Sequence, residues 1–467
     1  MVIAPKSGIA IDKGEISAIL KPHQRDIVMW AVQGGRRAIF AAFGLGKTIM
    51  QLEWCRLIHA HKGGKMLIIC PLGVKQEFMH DAENLLHMDP PVYARNMAEV
   101  EASSGWLMIT NYERVRDGDI RPDAFSGTSL DEAAVLRSFG SKTYQTFLDK
   151  FRGVPYKLVS TATPSPNRYK ELIHYSGYLE IMDTGQALTR FFKRDSTKAN
   201  NLTLYPHKEK EFWLWLSTWA LFIQKPSNLG YDDTGYDLPE LDVRYHKLGR
   251  PAELIEEKDG QIKMFHDAAQ GLKEAAREKR ESIDMRMAEA KRIIDGSPED
   301  NFIIWHDLEA ERRAIKKTLP EAREIYGSQD MDVRERNTID FSDGKFRILA
   351  TKKELSGSGC NFQRHCHRMI FLGIDYEFND FIQAIHRCHR FLQPHKVIAD
   401  IIYMDSEQEI LKVLQHKWTQ YNELTQKMED IIKKYGLGGA NAAQEMGRSI
   451  GVERVVVKGD GWTAIHN

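Results

Sequence analysis

The sequence predicts an α/β protein with two parallel-sheet lobes, a helical insertion between them and a helical brace after the second. Three observations carry that expectation. Short apolar runs alternate with helix-length stretches in residues 1–205; the same style returns in residues 299–405; and the segment between, 206–298, lacks it and reads as helical. Strand–helix alternation of this kind marks parallel strands covered by helices.

In the first lobe, residues 38–42, 66–70, 106–110 and 157–160 are apolar runs of strand length; in the second, 302–305, 347–351, 368–372 and 397–403 repeat them. The insertion opens on an aromatic helix at 212–223, continues through a loop rich in Gly, Asp and Pro at 228–240, and leads into a charged helix over 253–295. Along that helix Ile262, Phe265, Ala269, Leu272, Ala276, Ile283, Met287, Ala290 and Ile294 recur mostly at three–four spacing, which is one apolar stripe. Lys279 and Arg280 interrupt the stripe, and Gly296 and Pro298 stop it. Trp213, Trp215, Trp219 and Phe222 could stack bases, but a helix apolar on most faces favours burial. The brace, 406–436, carries Leu414, Trp418, Tyr421, Leu424, Met428 and Ile431 on one face and is the natural partner for the first stripe. Residues 437–467 read as a linker and the start of a further domain.

Composition narrows the function classes. A chain of 467 residues fits two or three domains. Lys+Arg and Asp+Glu both total 65, so binding by bulk positive charge, as in histones, is excluded. The zero hides asymmetry: residues 21–64 hold seven basic against two acidic side chains and 345–396 hold nine against four, whereas 230–259 hold nine acidic against four basic. Five cysteines argue against a disulfide framework and for a reducing compartment. No apolar run approaches the ~20 residues of a spanning helix, and Met1 to Leu20 lacks a signal-peptide pattern. The expectation is a cytoplasmic protein without a membrane partner.

The strongest local signal is Ala41-Ala42-Phe43-Gly44-Leu45-Gly46-Lys47-Thr48, between a strand and a helix. In that context Gly44 and Gly46 let backbone N–H groups wrap phosphates, Lys47 reaches the β/γ-phosphates, and the Thr48 hydroxyl ligates Mg²⁺. ATP with Mg²⁺ is the expected ligand pair. Asp131-Glu132 supplies the acidic strand end that such a site needs: Asp131 for the metal, Glu132 for the attacking water. An Asp-Glu pair alone marks a solvated helix start as readily, and the preceding residues 125–130 are poorly apolar for a buried strand. Ser160-Thr161-Ala162-Thr163-Pro164 can sense the γ-phosphate through the acidic pair or merely cap a turn. Arg387 and Arg390, three apart, fall on one face if helical and can both point at one anion. A solvated basic face is the plainer alternative.

In this order the motifs resemble superfamily-two helicases, and within them the Swi/Snf-type duplex-DNA translocases, over residues 19–405. Leu20 to Gln24 looks like the family's leading segment, which implies that Gln24 reads adenine. Ile69 to Leu72 and Thr110 to Glu113 look like DNA-facing segments of the first lobe, implying contacts from Pro71, Leu72, Thr110 and Tyr112. Ser160 to Asn167 resembles the third motif. Ser356 to Phe362 resembles the fifth, implying a DNA contact from Ser356 and a nucleotide-facing role for Gly357 and Gly359. Gln383 to Gln393 resembles the sixth, implying that Gln383 faces the nucleotide and that Arg387 and Arg390 act as arginine fingers. The resemblance implies two RecA-like lobes, ATP between them, and duplex DNA as partner.

Several positions depart from the family. Asp131-Glu132-Ala133-Ala134 lacks the usual His or Asp at its fourth place, Leu392 stands where Gly is usual, and Asp380 where Pro is common. These traits resemble a phage-type subgroup in which the ATPase is joined to a DNA methyltransferase, which would place the protein in a host cytoplasm. Val455 to Trp462 is similar to the opening of amino-group DNA methyltransferases, implying such a domain or subunit as a partner; an ordinary terminal strand is the alternative. Cys360, His365, Cys366, His367, His386, Cys388 and His389 cluster in sequence but fit no zinc spacing. The expected function is DNA-stimulated ATP hydrolysis coupled to translocation on duplex DNA. The alternatives are a strand-separating helicase on DNA or RNA, and a nucleotide-gated DNA-binding module that does not step.

Overall fold

The computed structural model describes residues 2–3, 7–137, 141–164, 169–194, 202–249, 281–353, 362–437, 445, 454–458 and 461–465. The chain is α/β and divides into two compact units: residues 1–234 with 420–467, and residues 235–419.

The first unit is built on seven parallel strands: β1 (Arg36–Ala41), β2 (Met66–Ile69), β3 (Val92–Tyr93), β4 (Leu107–Thr110), β5 (Gly127–Asp131), β6 (Tyr156–Thr161) and β7 (Ala220–Ile223). Their order across the sheet is β7-β1-β6-β5-β2-β4-β3. The second unit holds six parallel strands: β8 (Leu241–Leu248), β9 (Phe302–Trp305), β10 (Arg323–Ile325), β11 (Ile348–Thr351), β12 (Arg368–Phe371) and β13 (Val397–Met404). Their order is β8-β13-β12-β9-β11-β10. Both sheets are the RecA-like arrangement expected. The central strands β2, β4, β9, β11 and β12 are buried at every position, as a parallel sheet covered on both faces requires.

Three elements differ from the sequence reading. The poorly apolar segment ahead of Asp131 is the central strand β5, and all five residues are buried. Small and hydroxylic residues are what the place demands. A Cβ on Gly127 would come 2.7 Å from Met66 Cε and 3.0 Å from Tyr156 Cβ. The Ser129 hydroxyl donates to Gln51 Oε1 at 2.7 Å, so its burial costs little. Second, the run 212–223 is not one helix. It is a helix, Glu209–Ser217, followed by β7, which pairs with β1 in the first sheet. Trp213, Trp215, Trp219 and Phe222 are buried there, so packing is their role. Third, β8, drawn from the expected insertion, pairs with β13 of the second sheet.

Of the long charged helix, Ile283–Asp295 is described, and its earlier part lies outside the described residues. Met287, Ala290, Ile293 and Ile294 pack into the second unit's core with Phe302, Ile304, Ile348, Ile370 and Ile402. Arg286 sits in that core. Its guanidinium donates to Glu407 Oε2 (2.8 Å), the Leu372 carbonyl (2.7 Å), the Ile402 carbonyl (3.3 Å) and Ser282 Oγ (2.8 Å).

The brace is the helix Gln408–Tyr435. Residues up to Thr419 belong to the second unit, where Trp418 meets Phe381 edge-on, 5.7 Å between ring centres. From Gln420 onward it belongs to the first unit. There Tyr421, Leu424, Met428 and Ile432 are buried, Lys427 pairs with Glu209 at 2.6 Å, and Asn228 donates to Glu429 at 3.1 Å. In the terminal segment, strands Arg454–Lys458 and Gly461–Ile465 form an antiparallel hairpin, joined by Val2–Ile3. Among the described residues no helix is long and apolar enough to cross a membrane.

Candidate functional site

The site residues of the first unit gather at the carboxyl ends of β1, β6 and β5, three adjacent strands of a parallel sheet. Loops leaving that edge are where open α/β sheets bind ligands. After β1 the chain turns through Gly44 (φ +86°) and Gly46 (φ +77°), backbone conformations that a side chain would strain. Gly46 caps the helix Lys47–Lys62, so the backbone N–H groups of its first turn and its dipole face the loop. Lys47 Nζ donates to the Ala41 and Ala42 carbonyls at 3.1 and 3.3 Å, folded over the loop it serves. Thr48 is buried at the same helix start.

Gln24 lies against this loop. Its Nε2 donates to the Leu45 carbonyl at 3.0 Å, and its Oε1 accepts from the Lys21 N–H at 2.9 Å. A Cβ on Gly46 would meet Gln24 Nε2 at 2.4 Å. The side chain therefore holds the loop's shape; one amide N–H and one Oε1 lone pair are left for the adenine-reading role implied by resemblance.

Asp131 ends β5, fully enclosed. Gln51, one helical turn beyond Lys47, bridges it to the strand: Gln51 Nε2 donates to Asp131 Oδ1 at 2.7 Å while Gln51 Oε1 accepts from Ser129. Burial first, then the neighbouring Glu132 charge, pushes Asp131 up to about 7, while Gln51 and Lys47 pull it down. A carboxyl raised by burial is restored as an anion by a cation beside it. A threonine hydroxyl and an aspartate carboxylate are the kind of oxygen donors Mg²⁺ takes, so the chemistry of Thr48 and Asp131 fits the metal. Glu132 itself has φ +48°, rare for a side-chain-bearing residue. Its Oε2 accepts from Thr161 Oγ1 at 3.1 Å, and Thr161 Oγ1 in turn accepts from the Thr163 N–H at 3.1 Å.

The Thr110 and Tyr112 side chains, expected at a DNA contact, are buried and bonded within the first unit. Thr110 Oγ1 donates to the Ala94 carbonyl at 2.8 Å. The Tyr112 hydroxyl donates to the Asp131 carbonyl at 2.6 Å, and its ring stacks on Phe147 at 5.8 Å between centres. Tyr112 thus holds the acidic strand end, while Thr110 ties β4 to the segment after β3. Pro71 is exposed, at the start of the short turn Leu72–Val74. Ser356, Gly357 and Gly359 lie outside the described residues.

In the second unit Gln383 is half-buried on the helix Phe378–Ile385, which ends before either arginine. Arg387 and Arg390 therefore do not share a helical face. They stand in consecutive tight turns, with the Arg387 N–H bonded to the Ala384 carbonyl (3.2 Å) and the Arg390 N–H to the Cys388 carbonyl (3.0 Å). The turns are fixed from within: the His386 ring bonds to the His389 carbonyl (3.0 Å) and Gln393 Nε2 donates to the Cys366 carbonyl (2.9 Å). Arg387 Nε is buried without a hydrogen-bond partner among the described residues, and a buried guanidinium N–H left so favours an anion. Leu392, at φ +66°, is 77 % exposed. Nearby, the carboxyl edge of the second sheet holds Lys353 between Asp307 (3.1 Å) and Asp375 (2.5 Å).

Among the described residues no group of three or more His, Cys, Asp or Glu could hold a metal ion. Cys366 Sγ donates to the Asn301 carbonyl at 3.2 Å, the His386 and His389 rings bond to backbone carbonyls, and His367 faces Asp300; Cys360 lies outside the described residues. Sequence reasoning missed Gln51, which was open to it, since i+4 from Lys47 puts Gln51 on the same face of the helix.

No protein-family model and no curated protein matches the chain. Among solved structures it is similar to the Sulfolobus solfataricus SWI2/SNF2 ATPase core in complex with dsDNA, at 16 % identity and a TM-score of 0.43, covering 94 % of this chain and 98 % of that one.

Proposed function

We propose that this chain is a DNA-stimulated ATPase that translocates along duplex DNA. The observation that carries the catalytic half is the assembly on three neighbouring strand ends: the glycine loop with Lys47, the Gln51-held Asp131, and Glu132 fixed by Thr161. The duplex-DNA half rests on the resemblance of the ordered motifs to Swi/Snf-type translocases.

In this reading the backbone N–H groups around Gly44 and Gly46, together with Lys47, bind the β- and γ-phosphates of ATP. Thr48 and Asp131 hold Mg²⁺, which supplies charge neutralisation at the phosphates. Glu132 orients the attacking water. Thr161, donating to Glu132, keeps that carboxylate an acceptor toward the water. Arg387 and Arg390 stabilise charge in the transition state, so hydrolysis is gated by their arrival at the phosphate. DNA contacts are directed at the backbone, and little sequence specificity follows. Pro71 of the first unit and Ser356 of the second belong to that contact set; Gly357, Gly359 and Gln383 face the nucleotide. The resemblance of Val455 to Trp462 extends the reading to a DNA methyltransferase domain or subunit that the ATPase serves, in the cytoplasm of a phage host.

The test is ATP turnover without nucleic acid and with duplex DNA, single-stranded DNA or RNA. Duplex DNA should stimulate most, and salt should weaken the stimulation. Lys47→Ala and Glu132→Gln should each abolish turnover, and Arg390→Ala should cut it ~10³-fold or more while sparing ATP binding. Turnover unchanged by Lys47→Ala or Glu132→Gln removes the site assignment. Equal stimulation by RNA and duplex DNA removes the duplex translocase.

A further inference from the structure

We propose that Tyr421, on the helix Gln408–Tyr435, is a positioning residue for hydrolysis: its hydroxyl sets the peptide plane that aims the Thr161 hydroxyl at Glu132. The inference rests on Glu132 being the group that orients the attacking water.

The geometry runs through one peptide bond. The Tyr421 hydroxyl donates to the Ala162 carbonyl at 3.1 Å. That carbonyl and the Thr163 N–H belong to the same planar amide, so fixing one fixes the other. The Thr163 N–H donates to Thr161 Oγ1 at 3.1 Å and occupies a lone pair of that oxygen. The hydroxyl hydrogen of Thr161 is thereby directed outward, and its acceptor is Glu132 Oε2 at 3.1 Å. Three hydrogen bonds and one rigid plane join a side chain of the C-terminal helix to the water-orienting carboxylate.

Two further features make the connection stiff. Tyr421 is held on a part of the helix that is well anchored to the first unit, with Leu424, Met428 and Ile432 buried, Lys427 on Glu209 and Glu429 on Asn228. The far end is backbone-strained: Glu132 occupies φ +48°, a conformation that persists only where its surroundings enforce it. Burial first, and then the charge of Glu132, pushes the Tyr421 phenol upward, so it remains a neutral donor across the working range.

The experiment compares full-length wild type, Tyr421→Phe, Thr161→Val and the double variant, with Glu132→Gln as reference. Phe keeps the ring and removes only the hydroxyl. Tyr421→Phe should lower kcat about fivefold, the effect of one positioning hydrogen bond, with KM for ATP within about twofold and the thermal midpoint lowered by only a few degrees. Because both residues act through one carboxylate, the double variant should be no slower than Thr161→Val alone. Wild-type kcat in Tyr421→Phe, or independent multiplication of the two effects, overturns the inference. Full turnover in Glu132→Gln instead overturns the underlying assignment of the water-orienting group, so the two failures are distinct.

Discussion

Replacing Arg286 with Met is the sharpest test of how the second unit is held together. Arg286 and Glu407 are 1 % and 2 % exposed, and Glu407 Oε2 accepts from both the guanidinium and the Met404 N–H, each at 2.8 Å. Arg286→Met preserves most of the side-chain volume beside Met287 and Ile402. It also strips the Leu372 and Ile402 carbonyls of a donor and strands a carboxylate in the core. Breaking a buried pair from one side costs about 3–5 kcal/mol, a large share of the roughly 5–15 kcal/mol that keeps a domain folded. Most of that cost is the unpaired charge, not the lost attraction. Adding Glu407→Leu should therefore recover most of it, to within about 2 kcal/mol of wild type, since apolar replacement of a buried pair is often near neutral. The assay is urea titration read by hydrogen exchange at residues 302–305 and 368–371, which reports this sheet alone and does not require the two units to unfold together. A loss under about 1 kcal/mol for Arg286→Met, or a double variant as unstable as the single, refutes the reasoning.

Two further outcomes follow from other parts of the structure. Burial lowers Lys157, on β6, to about 8 despite its contact with Glu180 (3.2 Å). Above about pH 8 the unfolded chain then holds more protons at this lysine than the folded chain, so its contribution to stability improves as pH rises toward 10.5. The difference in thermal midpoint between wild type and Lys157→Met, followed from pH 7 to 10, should shift in favour of wild type; a pH-independent difference refutes it. Gly46→Ala, with φ +77° and a Cβ 2.4 Å from Gln24 Nε2, should cost roughly 1–2 kcal/mol of stability and weaken binding of a fluorescent ATP analogue. Unchanged nucleotide affinity would show that the Gln24 contact does not shape the phosphate loop.

The parts of the fold legible in the sequence are those where one local pattern suffices. Runs such as Leu107–Thr110 and Phe302–Trp305 are apolar at nearly every position because both faces of a parallel strand are covered. The glycine loop is legible because its chemistry is local. Where the reading fell short, a tertiary neighbour decided the outcome. Gly127 to Ser129 suit a core only because Met66, Tyr156 and Gln51 surround them. The 212–223 run carries the apolarity of a helix and of a strand in succession, and only the open edge of β1 separates the two. Arg387 and Arg390 have helical spacing, but the helix ends at Ile385, and hydrogen bonds at His386 and Gln393 settle the turns beyond it. The bonds of Tyr112 and Tyr421 leave no local pattern, since each reaches a carbonyl distant in sequence.

The order in which the chain leaves the ribosome gives the discontinuous first unit a particular history. Residues 235–419 form the second unit without interruption, whereas the first draws on residues up to 234 and again from 420 onward. At about 5–20 residues per second, translation spends on the order of ten to forty seconds between those two stretches. Throughout that interval β1, which leads into the Lys47 loop, and β5, which ends at Asp131, can already pair with β6 between them. The surface that Leu424, Met428 and Ile432 will cover remains bare, and the Ala162 carbonyl waits for Tyr421. A nascent chain can thus form the glycine loop well before the Tyr421 hydroxyl reaches the Ala162 carbonyl, and the helix Gln408–Tyr435 completes a unit whose sheet begins some four hundred residues earlier.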